Sequence, residues 1–306
     1  MQGKMSSTLI KSPLNYTGGK YKLLPQILSF FPEKVHFFID LFCGGGNVGI
    51  NVPADYTLYN DQEWRLPGLY KFMAELGFEK MTVAVKDIIS KYGLSDSKSK
   101  SYEFYGCNSS EGLAAYNREG YAKLRRDFNS MDDENCEYYV YFFTLVAFSF
   151  NNQIRFNSKG KFNLPVGKRD FNARMESNLQ KFTERLQAKK SEFLSGDFAA
   201  INPTTLPRGT FIYCDPPYLL GTASYNESGG WNEKDEKRLL TYLDILNSYG
   251  IHFALSNVLE HKGKTNHLLE EWCKKYSVHD LDFNYSNSNY QAKNTGLTRE
   301  VLVTNY

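Results

Sequence analysis

"VHFFIDLFCGGGNVG", Val35 to Gly49, is the stretch on which the fold turns. Its first half is a mostly apolar run, read as a strand over Val35–Leu41, and it breaks directly into three consecutive glycines. A strand that ends in a glycine turn lets backbone approach a ligand at the carboxyl end of an open sheet. The next such run, "YTLYND", is a second short strand ending on Asn60 and Asp61. From "ARMESNLQKFTERLQAKK" onward, helices and strands alternate. Strands are expected at "EFLSGDF", "GTFIYC" and "IHFALSN", and near "VHDLDF" and "EVLVTNY". Helices are expected at "EKDEKRLLTYLDILNSYG" and "NHLLEEWCKKY". Alternation of this kind predicts a doubly wound α/β sheet.

The middle of the chain, from Trp64 to Phe171, breaks the alternation and reads as an insertion into that sheet. It is helical from Trp64 to about Gly93 and again near "YAKLRRDFNSM" and "EYYVYFFTLVAF". The polar segment "SDSKSKSYE", Ser95 to Glu103, is expected to be a linker and a domain boundary. In "IRFNSKGKFNLPVGKR", Ile154 to Arg169, two alternating segments flank "NSKG", which predicts a β-hairpin. The expected division is residues 1–63 and 172–306 for the sheet, with 64–171 inserted.

Bulk properties narrow the class. The chain has 306 residues, 42% of them hydrophobic, and a net charge of +2. That is a globular chain without a whole-molecule basic field, so an anionic partner has to meet a local patch. Five cysteines (Cys43, Cys107, Cys136, Cys214, Cys273) lie without CxxC pairs, which predicts reduced thiols and no metal. The five histidines are scattered and receive no role. "MQGKMSSTLIKSPL" lacks the apolar core of a signal peptide. "YYVYFFTLVAFSF" is too short to cross a bilayer and reads as a buried helix. The expectation is a soluble cytoplasmic protein with no membrane partner.

The glycine turn is not GxGxxG and carries no Walker lysine, which disfavours a pyrophosphate ligand and a nicotinamide oxidoreductase. Asp61 stands where an acid bonds ribose hydroxyls, and Asp197 in "SGDF" follows a later strand. Together with the glycine turn they fit an adenosine pocket. A tight turn beside solvated acids is the plainer alternative. In "NYTGGKYKLLPQI", Lys20 precedes a helix and suggests a site for a carboxylate at a helix N-terminus. A ligand with adenosine at one end and a carboxylate at the other is S-adenosylmethionine.

"FIYCDPPYLL", Phe211 to Leu220, sets Asp215 and Tyr218 on either side of two prolines. Such a pair fixes φ and holds the residue before it extended. The arrangement suits an exocyclic amine, whose lone pair is delocalised into its ring. Asp215 accepts one amine hydrogen, the Pro216 carbonyl accepts the other, and the nitrogen is drawn towards tetrahedral geometry. Pro216 and Pro217 keep these acceptors preorganised. Tyr218 offers a face on which an extruded base stacks. Cys214 points to the opposite side by strand alternation and reads as core.

Between Arg155 and Arg174 lie Arg155, Lys159, Lys161, Lys168, Arg169 and Arg174, against the single acid Asp170. A basic two-stranded ribbon suits the major groove, with arginine on guanine and lysines on phosphates. "KLRRD", Lys123 to Asp127, reads as a solvated helix face. The glycine-rich "TASYNESGGW" is expected to be a closing loop, with Tyr225 and Asn226 as DNA contacts.

"YTGGK", "DLFCGGG", "SGDF" and "DPPY", in that order, resemble the Dam-type DNA adenine methyltransferases over nearly the whole chain. "DLFCGG", the "GKR" after the hairpin, "DPPYL", "YN", "LSNVLEH" and "EW.KKY" are most similar to the Dam enzymes of T-even bacteriophages. The resemblance implies a Rossmann-like S-adenosylmethionine-dependent methyltransferase sheet of seven strands, the last antiparallel. It further implies an inserted, mostly helical target-recognition domain carrying the hairpin. It implies cofactor contacts from Tyr16, Lys20, Asp40, Phe42, Gly44, Asp61, Asp197, Phe198 and Asp215, catalysis by Asp215, Pro216, Pro217 and Tyr218, and GATC as target in double-stranded DNA. It also implies DNA contacts from Phe150, Asn151, Asn152, Gln153, Arg155, Pro165, Lys168 and Arg169. Many cellular Dam enzymes carry an arginine directly after the hairpin glycine. Here Lys168 holds that place, which makes Arg169 the candidate guanine reader. Asn152 and Gln153 also depart from the pattern, so the ribbon tip is expected to meet the duplex differently. The expected form in solution is a monomer, with association on DNA left open. The alternatives are another adenine-containing DNA site, an RNA or protein-amide substrate, or a DNA-binding protein without turnover.

Overall fold

A computed structural model of the chain describes residues 9–220, 230–282 and 298–306. The chain divides into two compact units. A helical unit comprises Gly68–Ala188 with the N-terminal segment to Thr17, and a sheet unit comprises Gly18–Pro67 with the chain from Lys189 onward. Among the described residues the strands are Val35–Asp40 (β1), Ala54–Asp61 (β2), Lys190–Ser195 (β3), Thr210–Cys214 (β4), His252–His261 (β5), Lys264–Thr265 (β6), Ser277–Leu281 (β7) and Thr298–Thr304 (β8). The α-helices are Leu24–Ser29 (α1), Arg65–Leu76 (α2), Phe78–Lys91 (α3), Ala114–Ser130 (α4), Tyr138–Phe148 (α5), Ala173–Ala188 (α6), Glu233–Ser248 (α7) and His267–Trp272 (α8).

The sheet runs β3-β2-β1-β4-β5-β8-β7, with β6 folded back on the end of β5. Neighbours from β3 to β5 are parallel, and β8 is antiparallel to both β5 and β7. The expected seven-strand sheet with its last strand antiparallel is therefore present, and β6 is an addition of two residues. All five residues of β4 are buried, as a parallel strand covered on both faces requires. Ile39, Ile212, Cys214, Phe253 and Leu255 build the core with Leu239, Leu243 and Leu246 of α7. Each such side chain contributes roughly 1.5–3 kcal/mol by leaving water. Helix α7 begins at a capping box in which Asn232 accepts from the Lys234 amide at 2.8 Å and Asp235 accepts from the Asn232 amide at 3.2 Å.

The helical unit is organised round α5, buried at every position except Tyr139. A helix apolar on all sides belongs in a core, and α3 and α4 pack against it. No helix among the described residues is long and apolar enough to cross a membrane.

Two expectations are corrected here. The segment Ser95–Glu103 is no boundary but lies inside the helical unit. Its Ser95 and Ser97 side chains are consumed internally. Buried Asp170 accepts from the Ser95 hydroxyl at 2.9 Å, the Ser97 hydroxyl at 2.6 Å and the Ser97 amide at 2.8 Å. Asn117 accepts from the Ser95 amide at 2.8 Å. The hairpin is reduced to two isolated antiparallel bridges, Phe156 to Phe162 and Ser149 to Val166. The "NSKG" turn forms, with Gly160 N bonding Asn157 O at 2.9 Å. The ladder stays short because α4 takes backbone groups of the returning segment. Tyr121 and Arg125 both donate to Leu164 O, at 3.0 and 2.9 Å, and Asn129 brackets the backbone of Phe162. "KLRRD" is thus partly a docking face for the ribbon.

Candidate active site at the carboxyl ends of the strands

In the sheet unit, the loops after β1, β2 and β4 meet at one edge. Leu41 N bonds Tyr213 O at 2.9 Å and Cys43 N bonds Asn60 O at 2.8 Å, so the glycine turn is held between its two neighbouring strands. Asp40 is buried, and its Oδ2 accepts from Gly49 N at 2.8 Å. Its side chain thus closes the turn from behind. Burial pushes its carboxyl up to about 7 against the opposing Gly49 bond. A Cβ on Gly49 would sit 2.4 Å from Tyr59 Cε1 and 2.9 Å from Asp40 Oδ2, so the turn has no room for a side chain there. Asp61 Oδ2 accepts from Gly44 N at 2.8 Å and Oδ1 from Glu63 N at 2.9 Å. Burial raises this carboxyl to about 6, with the Glu63 and Gly44 amides opposing.

Asp215 follows β4 and faces a cluster that spacing along the chain did not reveal. Lys20 Nζ lies 3.0 Å from Asp215 Oδ1 and 3.5 Å from Glu300 Oε1, and it also donates to Gly18 O at 2.8 Å. The Tyr218 hydroxyl donates towards Asp215 Oδ1 at 2.9 Å and lies 3.1 Å from Glu300 Oε1. Lys20 is 5% exposed, and the Asp215 and Glu300 side chains 18% and 12%. Burial raises the Asp215 carboxyl, the Lys20 charge draws it back, and Glu300 adds to the rise. Burial alone would lower the Lys20 ammonium, yet Asp215 and Glu300 hold it above its ordinary value. At the place where a carboxylate site was expected, the Lys20 ammonium faces two protein carboxylates. Cys214 is buried, as expected of core, and burial raises its thiol well above the ordinary range.

Asp197 Oδ1 accepts from Ala199 N at 2.9 Å and pairs with Arg238 Nη2 at 2.8 Å. The Arg238 guanidinium lies 5.0 Å from the Phe198 ring centroid. Phe42, Phe198 and Trp231 form a cluster with centroid separations of 5.6, 5.9 and 6.2 Å. Trp231 is held by its indole N–H donating to Glu236 Oε2 at 2.6 Å. Glu300, Trp231 and Arg238 were absent from the expected set. An acid at the head of "TREVLVTNY" has no local motif to mark it, and only its pairing beside β5 and β7 brings it here. Beside Asp197, a groove of about 770 Å³ is lined by Arg238, Lys234, Lys237 and Tyr242, and none of the clustered carboxylates lines it.

The helical unit holds the expected DNA-contact residues from Phe150 to Arg169, and Tyr16, which is half-buried. Phe150, Asn151, Pro165, Lys168 and Arg169 are exposed, and Asn152, Gln153 and Arg155 are half-buried. Asn151 and Asn152 both have φ 54°, a left-handed conformation that asparagine tolerates better than most residues. Arg155 folds onto Asn163 Oδ1 at 2.8 Å. Arg169 donates to the Tyr102 hydroxyl at 2.9 Å and Ser109 O at 3.3 Å, and Lys168 donates to Ser110 O at 3.0 Å. At Gly112 (φ 77°) a Cβ would meet Lys168 O at 2.7 Å, which brings the 102–112 segment against the basic ribbon. The "NSSEG" run was the available signal for that turn. Tyr225 and Asn226 lie outside the described residues. Among the described residues no group of histidine, cysteine and acid side chains could hold a metal.

Comparison with known proteins places these features among relatives. A model of the D12 class N6 adenine-specific DNA methyltransferases matches residues 16–287. The chain is 39% identical over 313 aligned residues to the modification methylase StsI of Streptococcus sanguinis, covering 99% of this chain and 44% of that protein. It is 39% identical to the Type II methyltransferase M.FokI of Planomicrobium okeanokoites, covering 98% and 44%. A DNA adenine methylase of Salmonella typhi is 26% identical over 271 residues, covering 87% and 85%. The chain thus spans less than half the length of the two modification enzymes.

Proposed function

The chain belongs to the D12 class N6 adenine-specific DNA methyltransferases, and we propose that it methylates the exocyclic amino nitrogen, N(6), of an adenine flipped out of double-stranded DNA, with S-adenosylmethionine as donor. The observation that carries this is Asp215. Its contacts from Lys20 and Tyr218 fall on Oδ1, which supports Oδ2 as the acceptor for the target amine.

The residues present fit the cofactor. Lys20 stands between two acidic side chains, Asp215 and Glu300, and this excess of acidic groups suits a sulfonium. Phe42, Phe198 and Trp231 offer apolar faces for adenine, with Asp197 beside them for its amino group. Asp61 is the ribose acid, and Gly44 and Gly49 keep the turn open to it, with Asp40 as its brace. When bound, S-adenosylmethionine supplies an electrophilic methyl on sulfur and departs as a neutral thioether. Asp215 Oδ2 and the Pro216 carbonyl accept the two amine hydrogens and orient the nitrogen lone pair, the prolines holding both acceptors rigid. Lys20 lies 4.9 Å from the Tyr218 ring centroid and covers one face, so a flipped base stacks on the other.

The helical unit supplies target recognition, with Arg169 reading guanine and Lys168 on phosphate. The catalytic part is taken as 1–63 and 172–306 with 64–171 inserted, although the segment to Thr17 and the chain through Ala188 pack within the helical unit. The names of the two 39% relatives support a modification role. Action as a monomer in the cytoplasm is part of the same proposal. The adenine lies in GATC by likeness to the Dam-type enzymes.

Incubation with labelled S-adenosylmethionine and plasmid DNA, followed by a GATC endonuclease that adenine methylation blocks, tests both levels. Label in N6-methyladenine with protected plasmid is expected, and Asp215→Ala abolishes the label while cofactor binding persists in weakened form. Label without protection rejects GATC alone. No label in any duplex, or full activity in Asp215→Ala, rejects the assignment.

A further inference from the structure

Glu300 enters the reading above only through its charge and accepts no hydrogen from the target amine, yet its carboxylate joins the same cluster as Asp215. It stands on β8, opposite Leu281 of β7 and Val258 of β5, so its backbone is fixed from both sides. Burying a second carboxylate beside the first costs several kcal/mol unless it is paired. Here it is paired through the groups that also serve Asp215: Lys20 Nζ at 3.5 Å and the Tyr218 hydroxyl at 3.1 Å.

A phenol has one hydrogen to donate. The Tyr218 hydroxyl has two acceptors in reach, Asp215 Oδ1 and Glu300 Oε1. When a target amine donates to Asp215, donors already resting on that carboxylate compete for its charge. We propose that Glu300 is a positioning residue: it receives the Tyr218 hydroxyl and shares Lys20 as the target amine engages Asp215. The exchange breaks the Tyr218–Asp215 hydrogen bond and makes a Tyr218–Glu300 one, with no proton changing owner. Tyr218 keeps a partner and its ring keeps its orientation through the change. This role rests on the amine-methylation reading of the same site.

The test is a double-mutant cycle of Glu300→Gln and Tyr218→Phe, read as single-turnover methyl transfer under saturating cofactor and DNA. Each single variant is expected to lower the rate about tenfold or more, within the hundredfold that small misplacement of a reacting group costs. KM for both substrates stays within about threefold, and the double variant is little slower than either single one. Removing the Glu300 charge also moves the acid limb of the rate profile to lower pH, because that charge raises the Asp215 carboxyl. The other charged or titratable groups coupled to Asp215, namely Lys20, Tyr218, Tyr213, Cys214 and Asp40, are still present in Glu300→Gln. A wild-type rate in Glu300→Gln, or fully additive losses, overturns the proposal while leaving the function standing. An inactive wild-type protein overturns the function instead. If Glu300→Gln fails to fold by circular dichroism, Glu300→Asp decides. A reduced rate at unchanged KM supports the role, and a wild-type rate rejects it.

Discussion

The Lys20 ammonium lies 3.0 Å from Oδ1 of Asp215, joining the first segment of the sheet unit to the tetrapeptide that follows β4. Neither group is comfortable alone at that depth, and each makes the other tolerable.

Lys20→Met is therefore expected to lose methyl transfer and to destabilise the protein by about 3–5 kcal/mol at pH 8, the cost of stranding a buried charge. Without Lys20 the Asp215 carboxyl rises further. A carboxyl raised in the folded state stabilises at low pH and loses that contribution as pH rises through its folded value. The deficit therefore shrinks at pH 5. Urea midpoints at both pH values check this, and a pH-independent deficit would contradict the buried pair.

Asp40→Asn tests the brace of the glycine turn. The Asp40 carboxyl is raised from 3.8 to about 7, so its contribution is fully present below about pH 4 and is lost as pH rises towards 7. Asparagine keeps an acceptor for Gly49 N and cannot ionise. The stability of the variant relative to wild type is expected to rise by on the order of 2–4 kcal/mol from pH 4 to pH 8. A flat difference between these pH values would place Asp40 in contact with solvent.

Gly49→Ala places a methyl 2.4 Å from Tyr59 Cε1, and the buried ring of Tyr59 has little room to move. A loss of about 1–3 kcal/mol by overpacking is expected, with at least about tenfold weaker binding of S-adenosylmethionine by calorimetry, about 1.4 kcal/mol. Unchanged affinity would separate this turn from the cofactor.

Arg169→Ala is expected to cost about 1–3 kcal/mol of discrimination at one guanine, read as kcat/KM on a cognate duplex and its single-pair variants. Tyr102→Phe, which removes the hydroxyl that Arg169 bonds at 2.9 Å, should shift the same position by less. An equal loss on every duplex would make Arg169 a phosphate contact.

Spacing along the chain was enough for the strand, glycine turn and second strand of Val35–Asp61, for α7, for α5 as a core helix, and for the rigid Asp215–Tyr218 segment. These rest on interactions within a few residues: side-chain periodicity, proline's fixed φ, glycine's freedom. Folding decided the rest. Lys20, Asp215, Tyr218 and Glu300 converge only because β8 inserts between β5 and β7 and the segment ahead of α1 reaches the end of β4. The hairpin became a docked ribbon because α4 supplied partners that a strand ladder would otherwise have taken. Ser95–Glu103 looked like a linker because its polarity is visible along the chain, whereas buried Asp170, which satisfies Ser95 and Ser97, is not. Such pairings depend on register and packing between distant segments, and local sequence carries no record of which distant group a buried carboxylate will meet.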